Sequence, residues 1–178
     1  MKLGRDFFDR DVLSVAPDLL GKRLVTQLDG EMRSLIITET EAYRGEEDTA
    51  CHASKGKTKR TELLYRDSGT LYVYLCYGMH WLFNIVTGGK DNPQAVLIRA
   101  CEGSFNGPAK LTKFLNITGE LNGESILDSP KIWIEDTDLP YEYLTDKRVG
   151  INYATPYYRD INWRFILKND QSPVITKI

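Results

Sequence analysis

The sequence is poor in the residues that build metal centres and disulfide frameworks. Its 178 residues include two histidines, His52 and His80, and three widely spaced cysteines, Cys51, Cys76 and Cys101. Disulfide frameworks usually have an even number of cysteines, and a structural zinc ion needs four protein ligands. Because Cys51 and His52 together supply only two, we predict reduced thiols, no metal site and no other cofactor.

A long hydrophobic run is also missing. The first apolar stretch, Val12 to Leu20, contains Pro17 and Asp18 and has the form of neither a signal peptide nor a membrane span. We therefore expect a protein that is not secreted and has no membrane partner. Its expected location is the cytoplasm of a bacterium or the nucleus of a eukaryote.

An excess of basic charge is absent as well. The chain carries 23 lysines and arginines against 25 acidic residues, for a net charge of -2. Proteins that bind nucleic-acid phosphates usually have a basic excess, so only a local basic cluster would favour such a partner. One cluster occurs: Lys55, Lys57, Lys59 and Arg60. Its two open interpretations are a solvated loop and a phosphate contact.

The most apolar and aromatic stretch, Thr70 to Val86, stands out in a chain of mean hydropathy -0.36. Its composition predicts a β-hairpin with strands at 71–76 and 80–86. Both faces of the strands are apolar, which predicts a central position in the sheet. Tyr77 falls at the tip, where turns usually have small or polar residues. Its ring either folds back onto the hairpin or is available to a partner.

The remaining pattern is one of many strands and few short helices. Strands are predicted over 22–28, 32–43, 94–101, 131–135, 148–153 and 162–167, and helices over 14–20 and from Pro108. Asp29-Gly30 is a typical hairpin turn, and 45–69 reads as a long loop with one helical turn near its end. We predict an α+β fold with one domain, residues 1–178. It should have a curved, mainly antiparallel sheet, short peripheral helices and a protruding hairpin.

Two acidic residues, Glu39 and Glu41, lie on the second predicted strand. Strict alternation places them on one face with Leu35, Ile37 and Tyr43, about 7 Å apart. A carboxylate among apolar neighbours is more basic and is suited to activating water. The pair also fits the separation of about 6.5–9.5 Å in an inverting glycoside hydrolase. Two ordinary surface glutamates are the third interpretation.

Two other polar residues lie in apolar strands, Asn84 and Arg99. A buried amide without a partner loses about 1–3 kcal/mol, so the edge of a ligand is a reasonable partner for Asn84. A core amide and a strand-end arginine are the structural alternatives. A non-enzymatic alternative for the whole protein is a nucleic-acid-binding module in which bases stack on aromatic side chains. These side chains would be Tyr72, Tyr74, Tyr77 and Trp81.

Several motifs follow one another in a specific order. They are ITETEAYRG at 37–45, Asp48, His52, GTLYVY at 69–74, YGM at 77–79, Asn84, VLIRA at 96–100, GPAKL at 107–111 and RVGI at 148–151. This ordered set closely resembles the alkyladenine (DNA-3-methyladenine) DNA glycosylase family, from Phe7 to about Val174. The resemblance implies a monofunctional base-excision enzyme that removes alkylated or deaminated purines from duplex DNA. Its substrates would be of the 3-methyladenine, hypoxanthine and ethenoadenine class, and the enzyme would act as a monomer.

The resemblance also implies a role for each matching residue. Glu41 corresponds to the general base that activates water, and Arg99 to the arginine beside the base and the water. The walls of the base pocket correspond to Tyr43, His52 and Tyr74, and Asn84 to the residue that screens the purine edge. Tyr77 corresponds to the side chain inserted into the duplex. Contacts with the DNA backbone are expected at Lys55, Lys57, Lys59, Arg60 and Lys110. Glu39 has no role in this picture.

Overall fold

A curled antiparallel sheet forms the centre of the fold in the computed structural model, which describes residues 1–138 and 141–168. Val174 lies outside the described residues. The strands are β1 (Arg23–Leu28), β2 (Glu31–Arg44), β3 (Leu71–Cys76), β4 (His80–Thr87), β5 (Gln94–Cys101), β6 (Ile132–Glu135), β7 (Tyr143–Asp146) and β8 (Arg164–Leu167). Their order is β3-β4-β5-β2-β1-β6, and β8 pairs with both β2 and β7. The predicted α+β class with one domain is confirmed.

In the described part of the chain, four short α-helices flank the sheet: α1 (Arg5–Phe8), α2 (Val12–Asp18), α3 (Pro108–Phe114) and α4 (Pro156–Asp160). The predicted helix from Ser14 begins earlier, because the carboxylate of Asp11 caps α2 by accepting a hydrogen bond from the backbone N–H of Leu13. The prediction for α3 is confirmed, with Gly107 before Pro108 at its start. None of the helices in the described ranges is long and apolar enough to cross a membrane.

The predicted β3–β4 hairpin is present, but its predicted central position is wrong. Its two central turn residues, Tyr77 and Gly78, have φ values of 51° and 68°, as a type I′ turn requires. Strand β3 is the last strand of the sheet. Its apolar inner half is buried because the segment 119–126 covers this edge, with the N–H of Gly123 donating to the carbonyl of Leu71 at 2.8 Å.

Strand β2 departs from the strict alternation that the sequence predicts. Its register against β5 shifts on both sides of Glu39. Leu35 and Ile37 therefore join the main core together with Ala42, an even-numbered residue. Glu41 lies instead on the other side of the strand, where it contacts Arg99 of β5. The irregularity keeps the two glutamates together but removes them from the face of Leu35.

The last third of the chain holds the other corrections. Strands β6 and β8 are confirmed, whereas the predicted strand 148–153 is a turn and β7 was not predicted. The alternation of Val149 and Ile151 resembles a strand, but the backbone turns here around the buried side chain of Arg148. The long loop 45–69 contains two 3-10 turns, His52–Lys55 and Glu62–Tyr65, of which the second was predicted.

Candidate active site

A cleft of about 650 Å³ opens beside the β3–β4 hairpin. Strands β2, β4 and β5, the loop 45–69 and the turn 149–153 all contribute to its walls. The predicted residues that line it are Tyr43, His52, Arg60, Tyr74, Tyr77, Asn84 and Arg99. Residues that are up to 56 positions apart in the sequence (43 to 99) thus meet in one place.

One wall of the cleft is a cluster of three aromatic rings. The Nδ1 atom of His52 lies 2.9 Å from the hydroxyl oxygen of Tyr72, and the rings of His52 and Tyr74 are 4.8 Å apart between centroids. Burial, with smaller effects of the charges of Arg60 and Lys55, lowers the pKa of His52. The imidazole is therefore neutral near neutral pH. Its flat, uncharged surface suits contact with an aromatic base.

Asn84 lies on the floor of the cleft, in β4 opposite Tyr72 of β3 and Leu97 of β5. It is buried, and its Nδ2 atom donates a hydrogen bond to the backbone carbonyl of Tyr72 at 3.2 Å. This bond satisfies one of the two amide N–H groups and fixes which way the amide faces. The rest of the amide is available to a ligand in the cleft.

The carboxylate of Glu41 lies immediately behind the cleft wall and is fully buried. Its Oε1 atom accepts a hydrogen bond from the backbone N–H of Val149, and its Oε2 atom accepts one from the hydroxyl of Tyr43, both at 2.8 Å. Desolvation raises the pKa of Glu41, although the positive charge of Arg99 opposes this effect. The site therefore contains a carboxylate that is more basic than usual.

Arg99 separates Glu41 from Glu39. Its Nε atom is 3.5 Å from a carboxylate oxygen of Glu41 and 3.8 Å from one of Glu39. An inverting glycoside hydrolase needs a water molecule and a sugar ring between its two carboxylates. Here a guanidinium group contacts both carboxylates instead, so the geometry disfavours the paired-carboxylate interpretation.

A buried ion pair behind the cleft was not predicted as part of the site. Arg148 donates to both carboxylate oxygens of Asp48, at 2.6 and 2.9 Å, and to the carbonyl of Ala42 at 2.9 Å. Its guanidinium also lies 4.8 Å from the ring centroid of Tyr43. Arg148 thereby fixes the turn in which Val149 donates to Glu41. Both charged residues fall in the recognised motifs, but their pairing across 100 residues cannot be read from one sequence.

Tyr77 is 89% exposed at the tip of the hairpin. The alternative in which its ring folds back onto the hairpin is therefore wrong. Met79 beside it is 71% exposed, and the tip presents an apolar surface next to the mouth of the cleft. Such a surface is unusual on a narrow turn and is typical of a contact with another molecule.

The predicted basic residues lie on two sides of the cleft. Lys55, Lys57, Lys59 and Arg60 are exposed on the loop 45–69. Arg60 also lines the cleft, where its guanidinium stacks 5.5 Å from the ring centroid of Tyr74. On the other side, Lys110 is exposed on α3 directly after two residues of the lining. Within the described residues, no three histidine, cysteine or acidic side chains are grouped so as to hold a metal ion.

Comparison with known proteins places these features in a family. The family model described as Methylpurine-DNA glycosylase (MPG) matches residues 6–105 and 102–171. A relative from Desulfitobacterium hafniense with the name "Putative 3-methyladenine DNA glycosylase" is 43% identical over 197 residues, which cover 96% of this chain and 97% of the relative. Relatives of the same name from Chlamydia abortus and Borreliella burgdorferi are 46% and 43% identical, over 90% and 95% of this chain and 95% and 97% of theirs. The chain therefore belongs to the methylpurine-DNA glycosylase family and is a DNA glycosylase.

Proposed function

We propose that this glycosylase rotates a damaged purine out of duplex DNA into the cleft and hydrolyses its N-glycosidic bond with a water molecule activated by Glu41. The observation that carries the proposal is the buried, basic carboxylate of Glu41 directly behind an aromatic cleft. Chemistry on a base inside a duplex requires its removal from the stack. The cleft would receive that base, and residues 1–178 would act as one monomeric glycosylase domain.

Base capture would combine stacking in the cleft with insertion at the hairpin tip. Extrusion of a nucleotide costs a few kcal/mol, and stacking on aromatic side chains returns about 1–3 kcal/mol per base. The rings of Tyr43, His52 and Tyr74 line the cleft at suitable positions. The exposed side chain of Tyr77 would enter the minor groove and fill the gap in the stack.

The chemical step would transfer a proton from water to Glu41. The water oxygen attacks C1′ of the deoxyribose, and the bond from C1′ to the base nitrogen breaks with its electron pair going to the base. A cationic alkylated purine leaves as a neutral base, and the sugar remains as an abasic site with a new C1′ hydroxyl. Each oxygen of Glu41 has a lone pair beyond the bond it already accepts. The water would reach it beside Arg99, which lines the cleft.

The substrate range would include 3-methyladenine, hypoxanthine and ethenoadenine in double-stranded DNA. The names of the relatives specify 3-methyladenine, and the description of the family specifies methylpurines. The aromatic lining accepts any flat purine, while the fixed amide of Asn84 would meet the purine edge. Discrimination would therefore depend on Asn84 more than on the rings.

The test is single-turnover excision from duplexes that hold each lesion, measured as alkali-labile abasic sites. Glu41→Gln should lose at least about 100-fold in rate, the low end of the contribution of a positioned general base. The fold should survive, because the glutamine oxygen can accept from Val149 and its amide can donate to the hydroxyl of Tyr43. DNA binding should be unchanged.

Glu39→Gln is the matched control, since it changes the neighbouring carboxylate in the same way. Its loss should be much smaller. Equal losses in the two variants would favour a mechanism with paired carboxylates, and full activity of Glu41→Gln would refute the proposed mechanism.

A further inference from the structure

A row of alternating charges connects the buried carboxylate to the surface. Arg99 lies 3.5 Å from Glu41 and 3.8 Å from Glu39, and Glu39 lies 3.3 Å from Arg164. Arg164 in turn lies 2.6 Å from Asp146. The side chain of Glu41 is 0% exposed, those of Arg99, Glu39 and Arg164 are 18–24% exposed, and that of Asp146 is 56% exposed.

Arg99 is held at an unusual distance from both of its acidic neighbours. Charge-assisted bonds between arginine and carboxylate are usually about 2.7–2.9 Å long. The pair of Arg148 and Asp48 has such bonds, at 2.6 and 2.9 Å. Arg99 instead remains 3.5 and 3.8 Å from two competing carboxylates, and Glu39 also forms an ion pair with Arg164.

We propose that Glu39 is a positioning residue that holds Arg99 away from Glu41, so that Glu41 remains able to accept a proton from water. The inference rests on the proposed role of Glu41 as general base. Glu39 is anchored by Arg164 of β8, which also donates to the carbonyl of Lys147 at 2.9 Å. This anchor keeps the negative charge of Glu39 in place beside Arg99.

Removal of the charge of Glu39 would leave Glu41 as the single acidic partner of Arg99 in this row. The guanidinium would then move onto Glu41, and a charge-assisted hydrogen bond to a carboxylate stabilises its ionised form. The other groups that face Glu41 stay in place: the hydroxyl of Tyr43, the N–H of Val149 and the positive charge of Arg148. All three already favour the ionised carboxylate, and burial of Glu41 opposes them; Glu39 would act on Glu41 indirectly, by competing for Arg99.

The expected signature is a displaced pH profile. Excision rises with pH as Glu41 loses its proton and then reaches a plateau. In Glu39→Gln the ionised form is favoured, so the rise should move to lower pH by roughly 1 unit, the low end of the effect of an adjacent arginine. Because a less basic carboxylate is a weaker catalyst, the plateau should fall by about 3- to 10-fold.

The experiment measures single-turnover release of methylated bases from alkylated duplex DNA across the acidic and neutral range. Asp146→Asn is the control, since it removes the outer partner of Arg164 and leaves Glu39 and Arg99 in place. The profile of this control should match that of the unmodified protein. In an Arg99→Gln background, the additional change Glu39→Gln should not displace the pH profile. A double-mutant cycle measures this.

Two results would overturn the inference. One is a pH profile of Glu39→Gln that rises at the same pH as that of the unmodified protein. If the thermal midpoint of this variant is also lower, the carboxylate of Glu39 is purely structural. The other is a shift of the pH profile by Glu39→Gln that is equally large in the presence of Arg99 and in the Arg99→Gln background. If Glu41→Gln is inactive in the same assay, the proposed function stands in either case. If Glu41→Gln is active, the proposed function itself fails.

Discussion

At the scale of single residues, Asn84 shows how one polar group can limit an otherwise permissive cleft. The aromatic walls would contact the faces of a purine and would be insensitive to its edge. The amide of Asn84 is buried in β4 and fixed by its bond to the carbonyl of Tyr72. A site with a placed polar group discriminates between ligands more strongly than an apolar site does. Guanine differs from hypoxanthine by an exocyclic amino group at the edge that Asn84 would meet.

We therefore expect Asn84→Ser to relax selection against normal guanine. The shorter side chain leaves room for the amino group, and the rate of guanine excision relative to hypoxanthine should rise by about tenfold. Loss of the bond to Tyr72 should lower the free energy of unfolding by only about 0.5–1.5 kcal/mol. Single-turnover excision from matched duplexes gives the ratio.

The control for this variant is Asn122→Ser. The Oδ1 atom of Asn122 accepts a hydrogen bond from the N–H of Val73 at 2.9 Å, on the outer edge of β3, and Asn122 is not among the residues that line the cleft. This change removes a comparable amide and should leave the ratio unaltered. An unchanged ratio in Asn84→Ser as well would make Asn84 a structural residue.

At the scale of elements, the β3–β4 hairpin has one end buried in the core and an exposed tip at the other end. Leu71 and Phe83 are fully buried in the main core, whereas Tyr77 is 89% exposed. The buried end of the hairpin holds the tip in a fixed place. An apolar side chain on the tip can therefore contact a DNA duplex without contributing to the core.

Tyr77→Ala should accordingly leave the thermal midpoint nearly unchanged and slow excision of a fully paired lesion. Truncation of a core aromatic residue would instead cost about 3–5 kcal/mol of stability. The loss in rate should be smaller for a mismatched lesion, because such a base is already partly unstacked. Thermal melts and single-turnover excision on both duplexes test these expectations.

Tyr157→Ala is a suitable control, since Tyr157 is 68% exposed on α4 and is outside the cleft lining. This change should alter neither the thermal midpoint nor the rate of excision. A destabilised Tyr77→Ala protein with equal losses on the two duplexes would contradict a role in base capture.

The same elements show which parts of the fold a sequence can predict. Strands β3, β4 and β5 are mainly apolar and have clear turn residues, so their bounds are predicted within one residue. Strand β7 has the sequence YLTD, whose two apolar residues are adjacent, so it shows no alternating hydrophobic pattern. The segment 148–153 has the period of a strand, but its conformation is set by the long-range pair of Arg148 and Asp48.

In the candidate site, too, some features can be predicted from the sequence and others depend on long-range contacts. Its aromatic walls and Glu41 lie in motifs that a resemblance can match position by position. Burial gives Glu41 its basicity, whereas the N–H of Val149 and the guanidinium of Arg99, from two other parts of the chain, lower its pKa. The register shift at Glu39 determines which face of β2 carries the two carboxylates. No residue type in β2 predicts this shift.

At the scale of the whole molecule, the net charge of -2 must be reconciled with a DNA substrate. The five basic residues predicted to contact phosphates belong to two segments, the loop 45–69 and the start of α3. A protein of this charge distribution should make few phosphate contacts, and these should lie around the cleft. Association with DNA should therefore depend less steeply on salt than it does for strongly basic proteins.

The measurable quantity is the slope of log K against log salt concentration, which is about -0.9 for each phosphate contact on duplex DNA. If all five predicted basic residues bind phosphates, the slope should be no steeper than about -4.5. Lys59→Gln and Lys110→Gln, on opposite sides of the cleft, should each reduce its magnitude by about 1. Lys90→Gln is the control for charge alone, since Lys90 is exposed in the turn at the far end of β4 from the hairpin tip. Equal reductions in all three variants would mean that net charge, and not the basic residues beside the cleft, governs DNA binding.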